Sequence, residues 1–229
     1  MSVQEELRAY LLAQGASDVG FFAAPGEILP YGVSIVVRLS EAIVGEIGDA
    51  PTHTYFSHYR AVNALIDRLL LQAGLFLQAR GWRYLTVAAS QSINADGWNY
   101  KGRYSHKQAA RLAGLGAIGR NSLFLHREFG SLVRLGTLFT DCPFTPPETL
   151  CPPLCDGCDR CVAACPAGAI KGGDWTEGTD RSEIFDPAAC SNYMKKQFQK
   201  IGRGAVCGIC MRVCPLNHLE PEKENLDAD

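Results

Sequence analysis

The sequence predicts an α+β domain followed by a small cysteine-rich module. Short β-rich runs alternate with helical patterns early in the chain, and none of the ten cysteines lies in the first 141 residues. From Cys142 onward, Cys, Pro, Gly and Asp replace most aliphatic residues, which is typical of a module not held together by a hydrophobic core. We therefore expect an α+β domain that binds a cofactor or substrate over residues 1–145, a module over residues 146–219 and an acidic tail over residues 220–229.

The composition is that of a globular protein, with 47% hydrophobic and 20% charged residues. The N-terminus is acidic where a secretory signal would be basic, and no apolar run reaches the ~18 residues needed to span a bilayer. We expect a cytoplasmic protein without a membrane partner. In a reducing compartment ten cysteines favour metal ligation over disulfides, with buried inert thiols as the alternative.

The first elements are one helix and two strands. Leu7, Leu11 and Leu12 have helical spacing and predict an N-terminal helix of about three turns. The runs Val19–Phe22 and Val33–Leu39 are rich in β-branched and aromatic residues and predict strands separated by turn residues.

The next elements complete the α+β pattern. After Pro51 an apolar stripe predicts the longest helix, which runs towards Ala79. Arg83–Ala88 predicts a strand, Ser105–Ala113 a helix that begins with a serine cap, and Leu132–Phe139 another strand.

The positive charge is concentrated in residues 101–134, which hold seven Lys or Arg against one Glu. Such a stretch can receive a phosphate, an anionic cofactor or a nucleic acid, or it can form a solvated surface. Because a nucleic-acid-binding protein usually carries more basic residues, we do not expect a nucleic-acid partner.

The first cysteine run is a ferredoxin motif. Residues 155–166 read C-D-G-C-D-R-C-V-A-A-C-P, which is the bacterial C-x2-C-x2-C-x3-C-P run for 4Fe-4S clusters. Tetrahedral zinc is the rival, but zinc sites use ligand pairs separated by a longer span. The run therefore indicates an iron–sulfur module.

A second run, C-G-I-C-M-R-V-C-P at residues 207–215, lacks its first cysteine because Gly204 stands there. Cys190 is the nearest substitute. Crossed ligation, as in two-cluster ferredoxins, predicts one 4Fe-4S cluster on Cys155, Cys158, Cys161 and Cys214, and a second on Cys165, Cys190, Cys207 and Cys210. Two cysteines, Cys142 and Cys151, are left over by this assignment. Either could replace Cys190 as the eighth ligand. We interpret them as ordinary thiols or as groups that face a cofactor.

A glycine motif lies between the two regions. Residues 114–119 read G-L-G-A-I-G, which matches the dinucleotide fingerprint but follows a helical pattern instead of a strand, so we do not expect NAD binding. The glycines predict either close approach of a ligand or a tight helix-to-strand connection. Arg120, Asn121 and Ser122 add hydrogen-bond donors directly afterwards.

Three segments in this order carry a family resemblance: S-H-K-Q-A-A-R-L-A-G-L-G-A-I-G-R-N-S, then E-F-G-S-L-V-R-L-G-T-L-F-T-D, then both cysteine runs. Over roughly residues 100–215 the chain resembles the epoxyqueuosine reductase superfamily of cobalamin-dependent iron–sulfur reductases, which is related to corrinoid reductive dehalogenases and to cobalamin-processing decyanase/dealkylase proteins. The resemblance implies a nitroreductase-like, cobalamin-binding core followed by the ferredoxin-like double-cluster module. The residues it places at the cofactor are Arg103, Ser105, Gly114, Leu115, Gly116, Ile118, Gly119, Arg120, Asn121 and Ser122.

The sequence departs from the family in two places. The tRNA-acting members carry a further helical-repeat domain, whereas this sequence ends 14 residues past Pro215, which weakens the case for a tRNA substrate. They also carry a proton-donating aspartate in a D-[ST]-x-P type segment, and here that region reads W-N-Y-K-G-R-Y. Tyr100 falls nearest and is a candidate acid or a packed tyrosine; His106 is a candidate acid, a cobalt-side contact or a helix-surface histidine.

The leading hypothesis is an iron–sulfur oxidoreductase that binds cobalamin and reduces it through two 4Fe-4S clusters. The reduction would serve removal of the upper cobalt ligand or Co(I)-dependent reduction of a substrate. One alternative is a flavin-dependent iron–sulfur reductase with FMN in the same pocket, and another is a non-catalytic electron-transfer or corrinoid carrier protein. The expected partners are a corrinoid and an upstream electron donor such as ferredoxin or flavodoxin.

Overall fold

The computed structural model describes residues 1–93, 97 and 100–217. The acidic tail predicted over residues 220–229 lies outside the described residues. Within the described part of the chain, no helix combines the length and the apolar character required to cross a membrane.

Helices and strands alternate over the first 140 residues, and only short helices follow. The helices are α1 Val3–Ala13, α2 Glu41–Gly45, α3 His53–Gln78, α4 His106–Leu112, α5 Arg160–Ala164, α6 Arg181–Ile184, α7 Pro187–Gln197 and α8 Ile209–Arg212. The strands are β1 Asp18–Ala23, β2 Tyr31–Arg38, β3 Tyr84–Val87, β4 Gly116–Ile118, β5 Phe124–His126 and β6 Val133–Thr140.

The main sheet is antiparallel, with strand order β1-β2-β6-β3, and β4 and β5 form a separate hairpin. Both faces of this sheet are covered. Along β2, Val33 and Ile35 face the core beneath α3, while Val36 faces the second core beneath α4. The alternation follows from the two-residue period of a strand, and it fixes α3 and α4 on opposite sides of the sheet.

The long helix α3 lies close against β6. Ile66 and Leu70 on α3 are fully buried, and a Cβ added at Gly136 would stand 2.5 Å from Cγ2 of Ile66. Close approach of helix and strand therefore depends on a glycine in the centre of the sheet.

The predicted helices and sheet strands of the α+β domain are present, but one detail differs. Leu12, placed on the apolar stripe of α1, is 38% exposed, whereas Leu7 and Leu11 are fully buried. The short helix α2 and the β4–β5 hairpin were not predicted, because their apolar runs are too short to show a period.

The module after residue 146 shares the main core of the α+β domain. Val206, Ile209 and Met211 are buried in the same cluster as Ile47 and Tyr55 from the first domain. Helix α7, by contrast, buries none of its residues. As the composition predicts, the module has few apolar residues of its own, and it is held partly by burial against its neighbour.

Candidate redox and cofactor-binding site

Four of the predicted cluster cysteines line one cavity. Cys155, Cys158, Cys161 and Cys214 surround a space of about 220 Å³, together with Asn121 and neighbouring residues. The first three come from the first cysteine run and the fourth from the end of the second run. This is the grouping that crossed ligation predicts.

The other four cysteines lie near one another, and we call them the deeper cysteine group because burial raises the pKa of three of them. They are Cys165, Cys190, Cys207 and Cys210. Burial, followed by the neighbouring thiols of Cys207 and Cys165, raises the pKa of Cys190 to about 11. Burial also raises the pKa of Cys210, with further contributions from Cys207, Cys190, Cys165 and Cys161. The second group therefore contains Cys190, which lies on α7 outside both cysteine runs.

The donor set fits an iron–sulfur cluster at both positions. All eight groups are thiols, and the N–H of Ala169 donates to Sγ of Cys165 at 3.4 Å, the kind of hydrogen bond that adjusts a cluster's potential. Among the described residues, no three His, Cys, Asp or Glu side chains converge on one ion-sized position. A four-iron cluster requires no such convergence, because each thiolate binds a different iron.

The two remaining cysteines join neither group. Cys142 is buried in the main core, and Cys151 is partly exposed near Arg127. Their positions match the interpretation as ordinary thiols.

A larger cavity of about 700 Å³ lies between the α+β domain and the cluster module. The α+β domain contributes the start of α4 and residues 133–135 of β6. The module contributes Trp175, Ile184 and Met211. Since Met211 follows Cys210 directly, this cavity borders α8, the helix that carries Cys210 of the deeper cysteine group.

Six of the residues predicted at the catalytic and cofactor sites line this cavity. They are Tyr100, Arg103, Ser105, His106, Ile118 and Ser122.

The other six predicted cofactor residues do not line it, so their role at a cofactor stays a prediction. They are Gly114, Leu115, Gly116, Gly119, Arg120 and Asn121. A Cβ at Gly116 would stand 2.0 Å from the carbonyl oxygen of Leu125, and one at Gly119 would stand 2.7 Å from Cδ1 of Leu125. Gly116 and Gly119 thus allow the tight packing of the β4–β5 hairpin, which was the alternative interpretation of the motif.

Arg120 and Asn121 connect the α+β domain to the module. The Arg120 guanidinium pairs with Asp159 at 2.8 Å and Asp174 at 3.2 Å. Asn121 lines the 220 Å³ cavity, and its Nδ2 donates to the carbonyl oxygen of Cys210 at 3.5 Å. Both residues therefore hold the module against the α+β domain.

His106 has both ring nitrogens engaged within the protein. Nε2 lies 2.9 Å from the carbonyl oxygen of Ala88, which can only accept, so Nε2 carries the proton. Nδ1 then accepts from the Thr137 hydroxyl at 2.7 Å. Burial lowers the pKa of His106 and favours this neutral form. The geometry makes His106 a link between α4 and the sheet, and we assign it no proton transfer.

Two cavity-lining residues have unusual backbone conformations. Tyr100 has φ of 54° and Ser122 has φ of 57°, both in the left-handed region that non-glycine residues rarely adopt. Nζ of Lys107 holds Ser122 by donating to its carbonyl oxygen at 2.5 Å and its hydroxyl at 2.9 Å. Arg181 holds Tyr100 through its carbonyl oxygen at 2.8 Å. Such conformations are retained where neighbouring groups fix them, and they are common at functional sites.

The large cavity is cationic. Its lining includes Lys and Arg side chains from the basic stretch and one from the module: Lys101, Arg103, Lys107, Arg134 and Arg181. The carboxylate in the lining, Asp180, caps α6, and hydrogen bonds from Ser182 hold its pKa below the usual value. The cavity therefore suits a ligand that carries an anionic group.

The sequence did not predict that the module lines one side of the large cavity. Trp175 and Arg181 lie between the cysteine runs, in a segment without a motif or a clear period. Arg111, which is buried, holds this wall through a cation–π contact with Trp175 and an ion pair with Glu177.

Comparisons with known proteins identify the module and the fold. Residues 154–217 match the family described as a 4Fe-4S double cluster binding domain, which confirms the prediction of two 4Fe-4S clusters. The chain is 33% identical to the epoxyqueuosine reductase of Listeria monocytogenes over 125 residues, which are 51% of this chain and 30% of that enzyme. It is 26% identical to the epoxyqueuosine reductase of Pseudomonas aeruginosa over 234 residues, 91% of this chain and 56% of that enzyme.

Two solved structures share the fold. An epoxyqueuosine reductase with an epoxyqueuosine-modified tRNA-Tyr stem loop superposes with a TM-score of 0.65 at 19% identity, covering 94% of this chain and 65% of that chain. A reductive dehalogenase described as B12-dependent superposes with a TM-score of 0.74 at 20% identity, covering 93% of this chain and 32% of that chain. The predicted fold class and the resemblance to the epoxyqueuosine reductase superfamily are confirmed, while the chain spans only part of each of these relatives.

Lys107 should titrate near neutrality. Burial, followed by the nearby charge of Arg181, lowers its pKa from 10.5 to about 8. Between these values the unfolded chain binds more protons, so the folded state gains stability as the pH rises from about 8 towards 10.5. In an NMR titration of lysine ε-carbons, one signal that is absent from Lys107→Met should have a midpoint near pH 8. If every lysine signal titrated near 10.5, the lowered pKa assigned to Lys107 would be wrong.

Cys190 should be needed for one cluster only. After anaerobic reconstitution, the protein should hold about eight irons, and Cys190→Ala should lower this to about four because the exposed cluster keeps its ligands. The matched controls Cys142→Ala and Cys151→Ala should keep about eight. Iron and acid-labile sulfide analysis measures this result. If Cys190→Ala kept its full iron content and Cys151→Ala lost iron, Cys151 would be the cluster ligand in place of Cys190.

Proposed function

We propose that this chain is an iron–sulfur oxidoreductase that binds a corrinoid in the 700 Å³ cavity and reduces it through two 4Fe-4S clusters. The observation that carries the proposal is the position of Met211. Its side chain lines the cavity, and the preceding residue, Cys210, belongs to the deeper cysteine group. A cofactor in the cavity would therefore lie next to the cluster that supplies its electrons.

The lining fits a large flat cofactor with polar substituents. Leu123, Val133 and Leu135 give apolar surface for a macrocycle, while the lysine and arginine side chains can bind amide oxygens or a phosphate. The fold shared with a B12-dependent dehalogenase supports a corrinoid here. When bound, the corrinoid would supply cobalt that can be reduced and can then react with its upper ligand or with a substrate.

The two cysteine groups define an electron route. The first group lines a cavity that also includes the exposed residues Asp156 and Arg160. In the second group, burial raises the pKa of Cys190, Cys207 and Cys210, and Met211, next to Cys210, lines the large cavity. Cys161 of the first group contributes to the raised pKa of Cys210 in the second, so the groups are neighbours. We infer that electrons enter at the first cluster and leave towards the cavity from the second.

Tyr100 and Lys107 are the proposed sources of protons. Both line the cavity, and Lys107 has a pKa of about 8, so it can give up a proton near neutrality. Asp180 is unsuited to this role, because its lowered pKa keeps it ionised at its capping position. These residues serve either use of the reduced corrinoid, which are removal of its upper ligand and reduction of a separate substrate.

We expect no nucleic-acid substrate, although one relative was solved with a tRNA stem loop. Arg111 and Arg120 of the basic stretch are largely buried in contacts with the module. Lys107 and Arg134 line the cavity. The basic stretch is thus used inside the protein, which leaves little of it to contact a phosphate backbone. The cytoplasmic location inferred from the acidic N-terminus and from the lengths of the apolar runs stays a prediction.

Anaerobic titration with hydroxocobalamin tests the proposed function. The cobalamin spectrum should shift on binding, and addition of dithionite should then reduce the bound cobalt. Leu123→Trp should weaken binding by roughly tenfold or more because the indole occupies part of the cavity. Leu75→Trp is the matched control, since Leu75 is 52% exposed on α3 and does not line the cavity.

Three results would contradict the proposal. The first is the absence of any spectral shift, and the second is equal binding by both tryptophan variants. The third is purification of the protein with bound FMN, which would assign the cavity to a flavin.

A further inference from the structure

A second concave surface borders the first cysteine group. This arginine groove has a volume of about 700 Å³ and is formed by α5 and by the chain from the end of α8 onward. Its lining residues are Arg160, Ala163, Ala164, Arg212, Val213, Cys214 and Pro215. The corrinoid proposal does not use the groove, and among its lining residues only Cys214 is a proposed cluster ligand.

The groove opens onto the first cluster site. Arg160, Cys214 and Pro215 line both the groove and the 220 Å³ cavity of the first cysteine group. Any molecule seated in the groove would therefore touch the Cys214 segment, which holds a proposed ligand. The deeper cysteine group is not part of the groove lining.

The groove is lined by two arginines and by small apolar residues. Arg160, Ala163 and Pro215 are exposed. The Nε of Arg212 donates to the carbonyl oxygen of Gly45 at 3.1 Å, which holds this guanidinium in place. The described lining residues include two arginines and neither Asp nor Glu. Small side chains let a partner approach closely, and the arginines favour a partner with negative charge.

We propose that the arginine groove is the docking surface for a small acidic one-electron carrier protein. One electron leaves the reduced carrier and enters the first cluster; no bond forms or breaks and no proton moves. The inference rests on the double-cluster assignment within the proposed function and is independent of the corrinoid. The carrier is favoured over a small anion because the groove is open, broad and in contact with a cluster ligand.

Stopped-flow reduction of the reconstituted, oxidised protein tests the groove. The probe is reduced flavodoxin at low ionic strength, and the bleaching of the clusters is followed. Arg160→Glu should lower the rate of cluster reduction by roughly tenfold or more. Because salt screens the attraction between the groove and the carrier, added salt should bring the rates of the variant and the wild type closer together. Arg68→Glu is the matched control, because Arg68 is exposed on α3 in the other domain. Reduction by dithionite should be equal in all three proteins.

Each other outcome overturns the docking proposal in a distinct way. Equal rates with flavodoxin for Arg160→Glu and Arg68→Glu would show that the carrier binds elsewhere. A loss with dithionite as well would show that Arg160→Glu damages the cluster, and failure of the iron count in wild type would instead refute the double-cluster assignment. Faster reduction of Arg160→Glu would show that Arg160 hinders docking of the carrier.

Discussion

The burial of the cluster module against the α+β domain is the constraint on which the rest of the structure depends. Ile209 and Met211 of α8 enter the same core as Ile47 and Tyr55. Because Cys210 lies between these two buried residues, the same packing fixes the deeper cysteine group against the first domain. Hydrophobic burial thus places this cysteine group beside the α+β domain.

Three arginines complete this junction. Arg120 pairs with Asp159 and Asp174, Arg111 contacts Trp175 and Glu177, and Arg181 donates to the backbone of Tyr100. Together they hold the segment between the cysteine runs as one wall of the large cavity. The basic stretch that the sequence offers as an anion or nucleic-acid site is therefore divided between domain junction and cavity lining.

Motifs with fixed spacing were predictable from the sequence, whereas contacts between distant segments were not. The cysteine runs specify their chemistry locally, and Cys190 could be inferred because one ligand was missing. The glycine motif left a ligand-binding and a packing interpretation open, because the contact of Gly116 and Gly119 with Leu125 crosses a hairpin too short to be predicted. His106 similarly depends on Thr137 and Ala88, which only the folded sheet brings near.

The central claim is that a corrinoid occupies the large cavity and receives electrons from the deeper cluster. Anomalous X-ray diffraction at the cobalt and iron edges, from crystals grown anaerobically with hydroxocobalamin, tests it most directly. The account predicts one cobalt position in the cavity lined by Met211, nearer to the irons held by Cys190 and Cys210 than to those held by Cys155 and Cys158. A cobalt outside this cavity, or one nearer to the cluster of Cys155, would contradict it.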